Sequence, residues 1–291
     1  MKNNRFVLIV LIPALALLTL FVIVPIIGSF VFSLYDYNPL RDNQIFLGLA
    51  NYKRLLEDPV YLKSLRNTLV FVFVTVAINI SLTLVIAAFI SQIKRRWLRN
   101  LFLIAIFMPV VAPVANSAVV WMRSLFATQN GLLNQGLMEL GFTPIDWVGS
   151  PIMLLPSLII FTIWVDIGYN TVLFTAGIDG IPRDFYEAAQ IDGASPIVRF
   201  FKVTFPLLGR TFSFVTAMTL ISHFQMFAQF EIIARDGGPA KAGQVLTTYI
   251  YYAGFKAKDM GYASAISVTL FFVILAVTLM QQRLNRVDWG Y

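Results

Sequence analysis

Residues 187–206 read Glu-Ala-Ala-Gln-Ile-Asp-Gly-Ala-Ser-Pro-Ile-Val-Arg-Phe-Phe-Lys-Val-Thr-Phe-Pro. This polar, charged stretch lies between two long apolar runs. Just upstream, Ile181-Pro182 opens a helix, with Pro182 suited to the first helical position, where the missing N–H has no partner to lose. The small side chains of Ala188 and Ala189 let another surface approach closely. Gly193 stands where a left-handed residue ends a helix. Ser195-Pro196 restarts one, with serine as N-cap and proline behind it. The pattern predicts a helix-turn-helix at a membrane surface, shaped to be gripped.

Composition fixes the solvent. The chain has 291 residues, 58% of them hydrophobic and only 13% charged, with a mean hydropathy of +0.75. Soluble domains are nearer half apolar and a quarter charged. Lipid leaves only helices or a closed barrel, because each backbone polar group must be paired internally. Apolar runs of about 20 residues select helices. The fold class expected is therefore all-α and polytopic. With no cysteine, disulfides, thiolate metal sites and a lipoprotein anchor are excluded. The net charge of +7 is accounted for by basic residues flanking spans rather than by nucleic-acid binding. The lone His223 and the scattered carboxylates have no metal-ligand spacing.

Six spans are predicted, at about 6–34, 68–91, 101–122, 153–176, 207–230 and 261–281, within one transmembrane domain covering 1–291. The first run follows Lys2 and Arg5, is too long for a secretory signal and has no small-residue cleavage site in polar sequence beyond it. It reads as an uncleaved anchor. Tyr35, Tyr37, Tyr52 and Tyr61 in the mixed segment 35–66 suit an interfacial belt. Pro109 and Pro113 predict a kink or break in the third span. Segments 123–152 and 231–260, rich in turn residues, read as external. Loop 92–100 carries Lys94, Arg95, Arg96 and Arg99 without an acid, so it faces the cytoplasm. Loop 177–206 and both termini then share that side.

The chemistry is that of a conduit. No Walker loop occurs, so any ATP-driven step belongs to another polypeptide. No Gly-x-Ser-x-Gly, zinc or paired-Asp signature supports an intramembrane enzyme. Polar residues inside spans are costly and line cavities or helix contacts. Thr75, Asn79 and Thr83 form one stripe at helical spacing. Thr162, Asp166 and Asn170 form a second. Thr216, Thr219 and His223 mark one face of the fifth span, and Ser222, Gln225 and Gln229 another. Hydroxyls and amides beside Trp164, Tyr169, Phe224 and Phe227 are what a sugar path requires, while interhelical hydrogen bonding accounts for the same residues. The candidates for the path are Asn79, Asp166, Asn170, His223, Gln225 and Phe227. Asp166, the costliest, is expected to face inward and be paired, with His223 as the partner considered. Gly261, Ala263, Ser264 and Ala265 open the sixth span with small residues for close helix approach. Glu187 suits either a charge-assisted contact with an arginine of a partner or the positive end of its own helix.

The 187–206 stretch also resembles the EAA loop of permease subunits from binding-protein-dependent ABC importers. Glu187, Ala188, Ala189, Gly193, Val203 and Pro206 fall at that motif's spacings. Val203 stands for the commoner isoleucine and Phe205 for the usual leucine. Ile181-Pro182 through Tyr186, with Ile191-Asp192-Gly193-Ala194, is similar to the carbohydrate branch of maltose, lactose, raffinose and glycerol 3-phosphate permeases. The resemblance implies a type I importer permease in the bacterial inner membrane, moving a carbohydrate without chemical change and holding no cofactor. It implies an ATPase dimer that binds the ATP and docks on Glu187, Ala188, Ala189, Asp192 and Gly193. It further implies a second homologous permease and an extracytoplasmic solute-binding protein. The competing reading is a proton-coupled secondary transporter using Asp166 and His223, which leaves the polar elbow unexplained.

Overall fold

The computed structural model describes residues 11–41 and 44–284. The expected flank of Lys2 and Arg5, the start of the first span at residues 6–10 and the tail with Arg286 lie outside the described residues, as do both termini. In chain order the elements are α1 (Leu11–Phe32), β1 (Tyr35–Asp36), β2 (Ile45–Phe46), α2 (Ala50–Glu57), α3 (Pro59–Ser91), α4 (Arg96–Val111) and α5 (Val114–Leu125). Then come α6 (Leu132–Glu139), α7 (Leu154–Asp179), α8 (Arg183–Ile191), α9 (Pro196–Leu207), α10 (Gly209–Phe224), α11 (Ala228–Ile233), α12 (Leu246–Tyr251) and α13 (Met260–Leu284). Among the described residues α1, α3, α7 and α13 are each long and apolar enough to cross a bilayer. The count is six if each bent pair, α4 with α5 and α9 with the helical run Gly209–Ile233, makes one span.

The breaks have identifiable causes. α4 and α5 meet at 92°. Pro109 is carried inside α4, and the chain leaves helical geometry at Ala112 and Pro113, the latter serving as N-cap of α5. The residue before a proline is pushed out of the α region, so Pro113 sets the break where Pro109 does not. In the fifth span the helix runs through Pro206 to Leu207 before a 70° bend, whereas the sequence pattern begins that span behind Pro206. α3 starts at Pro59 rather than near residue 68. Asp58 caps it: its Oδ1 accepts from the amides of Val60 at 2.8 Å and Tyr61 at 3.3 Å. With proline at the first position, this start is stronger than the hydropathy of 59–67 suggests.

The described chain divides into two compact units. One holds residues up to Leu62 together with Leu246–Val273. In it β1 and β2 pair antiparallel, Tyr35 opposite Phe46. This two-residue ladder is absent from the all-helical expectation. Gly261 is required here, since a Cβ would strike the Tyr35 carbonyl and the Tyr37 amide. The Gly261 amide donates to the Tyr37 carbonyl at 3.1 Å. The small residue at the start of α13 thus serves the chain's own hairpin. Asp58 Oδ2 accepts from the hydroxyls of Tyr249 and Tyr262, the latter at 2.6 Å. Arg54 lies 3.9 Å above the Tyr262 ring and donates to Asp259 at 2.7 Å.

The other unit holds Lys63–Val245 and the chain from Ile274 onward. Its core includes Phe71, Phe161, Phe174, Phe224 and Phe230, each almost fully buried. α4 packs along α7, and Gly168 sits at the crossing: a Cβ there would collide with the Ile106 carbonyl and Phe107. Arg99 and Asp179 form an ion pair joining the start of α4 to the end of α7. Asn67 donates to the carbonyls of Lys241, Ala242 and Gln244, pinning a loop in which Asp236, Ala240 and Lys241 have positive φ.

Candidate functional site

The elbow at 181–208 is built as its residues dictate. Helix α8 begins at Arg183, and Pro182 is its N-cap with an extended ψ of 138°. Proline therefore precedes the helix by one position more than the first-turn reading. α8 ends in a left-handed turn at Gly193, φ +74°. The Ala194 amide reaches back to the Ala189 carbonyl at 2.9 Å, and the Gly193 amide to Gln190 at 3.0 Å. These two bonds satisfy the last carbonyls, the pattern that a glycine at this position permits. Ser195 then caps α9, its hydroxyl accepting from the Val198 amide at 3.4 Å. Tyr186 and Thr204 hydroxyls meet at 3.1 Å and tie α8 to the helix that follows.

The face offered outward is specific. Glu187, Ala188, Asp192 and Gly193 are exposed, and Ala189 is half-buried. Ile191 is 87% exposed and Phe185 43%, so the elbow presents apolar side chains beside its charges. Asp184 occupies the first turn, where a carboxylate meets the positive end of the helix. Glu187 lies beyond that turn and, among the described residues, has no hydrogen-bond or ion-pair partner. Its own helix gives it nothing to do.

Within the membrane-length helices the polar stripes converge. The Asn170 amide donates to Asn79 Oδ1 at 2.7 Å and to the Thr219 hydroxyl at 3.0 Å, joining α7 to α3 and α10. His223 Nε2 lies 3.6 Å from Asp166 Oδ2. The histidine is 2% exposed, while the Asp166 side chain keeps 28% exposure. Among the described residues Thr75 Oγ1, Asn79 Nδ2, Thr162 Oγ1, Thr216 Oγ1 and His223 Nε2 are buried without a hydrogen-bond partner. Buried polar atoms are normally satisfied, so each of these orphans is an exception to the usual pairing.

The remaining candidates sit at a break. α10 ends at Phe224 and α11 resumes at Ala228, leaving Gln225 and Phe227 on non-helical backbone. Irregular backbone at membrane depth is tolerated only where protein buries it or where it lines a cavity. Gln225 is exposed and Phe227 half-buried. Phe224 is 1% exposed and belongs to the core, so it offers no face to a solute. Tyr169 is 48% exposed, one turn from Asp166 on α7. Sequence reasoning missed the Arg99–Asp179 pair and the Asp58 tyrosine cluster; neither has a local signature.

Comparison with known proteins agrees along the chain. A family model described as the binding-protein-dependent transport system inner membrane component matches residues 79–287. The probable ABC transporter permease protein YurN of Bacillus subtilis is 33% identical over 285 residues, covering 97% of this chain and 96% of YurN. The lactose transport system permease protein LacF of Rhizobium radiobacter is 32% identical, covering 92% of this chain and 90% of LacF. The sn-glycerol-3-phosphate transport system permease protein UgpA of Escherichia coli O157:H7 is 34% identical, covering 93% and 90%. Among solved structures, a chain of the bacterial alginate ABC transporter in complex with alginate pentasaccharide-bound periplasmic protein superposes with a TM-score of 0.87. It covers 100% of this chain and 98% of that one at 19% identity, a likeness of fold.

Proposed function

This chain belongs to the family of binding-protein-dependent transport system inner membrane components, and we infer from that membership that it is a permease subunit of an ATP-binding-cassette importer for a carbohydrate. Relatives named for lactose, arabinooligosaccharide and glycerol 3-phosphate transport support a sugar or related polyol as solute. The observation that carries the mechanism is the elbow. α8 is closed at its C-terminal end by its own bonds, and it turns Glu187 and exposed apolar side chains away from the chain. That is the surface of a helix meant to be held by another protein.

In this reading two ATPase subunits grip the α8 helices of this permease and of a second, homologous one. Glu187 supplies a carboxylate for an arginine on the ATPase, a charge-assisted contact. Ala188 and Ala189 allow close approach, and the Asp192-Gly193 stop fixes the direction in which α8 is pulled. Closure of the ATPases on ATP moves α8, and Arg99–Asp179 lies at the α4–α7 end through which that motion enters the spans. A solute-binding protein delivers the sugar from outside. Asn79, Asp166, Asn170, His223, Gln225 and Phe227 line or support its path. The α10–α11 break leaves non-helical backbone there, and the orphaned hydroxyls and amides offer bonds to sugar hydroxyls. In this reading the elbow and both termini face the cytoplasm of a bacterial cell, an orientation that the basic loop of Lys94, Arg95 and Arg96 supports.

The 3.6 Å approach of Asp166 and His223 is the one observation favouring a proton-coupled carrier instead. Uptake measured in cells separates the two. An ATP-driven importer stops when ATP is depleted with the proton gradient intact. Uptake that survives ATP depletion and collapses with an uncoupler would overturn the importer reading.

A further inference from the structure

The turn between α3 and α4 carries a second surface that transport chemistry does not use. α3 ends at Ser91 and α4 begins at Arg96, so the connection is residues 92–95. Even fully extended, three residues reach no more than about 10 Å. Lys94 is therefore held within that distance of the last turn of an apolar, membrane-length helix. Lys94, Arg95 and Arg96 are consecutive, exposed, and among the described residues take part in no ion pair or side-chain hydrogen bond. Arg99, one turn on, is the cation already occupied, by Asp179. The first turn of α4 has no acidic residue and no side-chain cap, so its amides add positive potential to the same spot. Trp97 beside them is 65% exposed, and an indole on a span's end settles at headgroup depth.

We propose that Lys94, Arg95, Arg96 and Trp97 form a binding site for the phosphate of an anionic phospholipid in the leaflet this turn faces. Three unpaired cations at headgroup level complement a phosphodiester, and each gains from an anionic surface within a Debye length. A turn this short projects no further than the headgroups, so a lipid meets it before any soluble protein does. The tryptophan supplies what a free anion has no use for: a ring that packs against glycerol and acyl carbons while its N–H faces the interface. Arg99, one turn on and held by Asp179, links the site to the end of α7, so a bound headgroup braces the pair of helices beside the elbow. The site does not depend on the importer reading, because it needs only the chain in a bilayer.

The test uses the purified full-length chain in nanodiscs of equimolar phosphatidylglycerol and phosphatidylcholine. Lipid retained on release is identified by native mass spectrometry. The wild type retains phosphatidylglycerol in excess, and raising salt erodes the excess. A variant with Lys94→Gln, Arg95→Gln and Arg96→Gln loses the preference by about tenfold or more. Arg95→Lys with Arg96→Lys preserves it. Equal retention of the two lipids by the wild type would overturn the site, and so would an unchanged preference in the triple variant. Displacement of the lipid by millimolar free glycerol phosphate would show that the turn binds phosphate and not a membrane. If the triple variant fails to insert, the lipid preference and its salt dependence in the wild type decide the matter alone.

Discussion

Asn170 Nδ2 donates to Asn79 Oδ1 at 2.7 Å, with both side chains buried, and so bolts α7 to α3 in the interior of the membrane-length helices. The same amide reaches Thr219 on α10 at 3.0 Å. One residue thus holds three helices. Replacing it leaves two buried polar partners without their bond, which costs more than the bond itself contributed.

Asn170→Ala is therefore expected to destabilise the protein by about 1–3 kcal/mol. Thermal unfolding of detergent-solubilised wild type and variant measures it. A double-mutant cycle with Asn79→Ala isolates the pair, with an expected coupling of about 0.6 kcal/mol, the average between membrane helices, and at most about 1.7 kcal/mol. A coupling of zero would mean that the contact contributes nothing.

Gly168 tests the α4–α7 crossing. A methyl group there meets the Ile106 backbone, which cannot rotate away. Gly168→Ala is expected to cost about 1–3 kcal/mol, the usual range for overpacking. Gly168→Leu is expected to prevent stable insertion. Expression and detergent-extracted monodispersity report both, and a wild-type profile for the leucine variant would mean that the helices can move apart freely.

Asp58 gives a pH dependence. Its carboxyl lies outside the spans; burial alone would raise its pKa, but bonds from the Tyr249 and Tyr262 hydroxyls and the Val60 and Tyr61 amides outweigh burial and lower it. The folded value is below the unfolded one, which is about 4. The stabilisation is therefore present above about pH 4 and is lost as pH falls through the folded value. Between pH 7 and pH 3 the wild type's advantage over Asp58→Asn in unfolding temperature should shrink. A constant difference across that range would show that the charge is not what stabilises the cluster.

How much of this was legible depends on how local the cause is. The elbow was readable because its stops are single-residue effects: Gly193 adopts φ +74° and Ser195 caps α9. Pro182 was displaced by one position because a proline's φ suits an N-cap as well as a first turn. The polar stripes were visible as period-four spacing, and the cost of Asp166 pointed to a neighbouring partner. The α10 break was not legible. Gln225-Met226-Phe227 contains no glycine or proline, so nothing local interrupts the helix there. Nor was the Asp58–Tyr249–Tyr262 cluster, whose members are 191 and 204 residues apart in sequence. Contacts at that separation are decided by packing, not by spacing.

Gly193 tests the direction of the elbow. A Cβ there meets nothing within 4 Å, so any cost of substitution is backbone strain alone. Gly193→Asn is expected to retain most uptake, since asparagine visits the left-handed region, whereas Gly193→Val is expected to impair it. Uptake and ATPase rate measured together read the result: the valine variant should keep hydrolysis and lose transport. Equal uptake by both variants would show that the turn's geometry is irrelevant to coupling.

The most direct measurement is ATP-dependent uptake by Glu187→Lys, with co-purification of the ATPase assayed on the same membranes. Glu187 is exposed and unpaired within the described chain, so the reversal leaves folding and insertion intact. Transport is expected to fall to background, with the ATPase lost from the complex or uncoupled from it. Wild-type uptake with the ATPase still attached would contradict the claim that α8 is where an external motor takes hold.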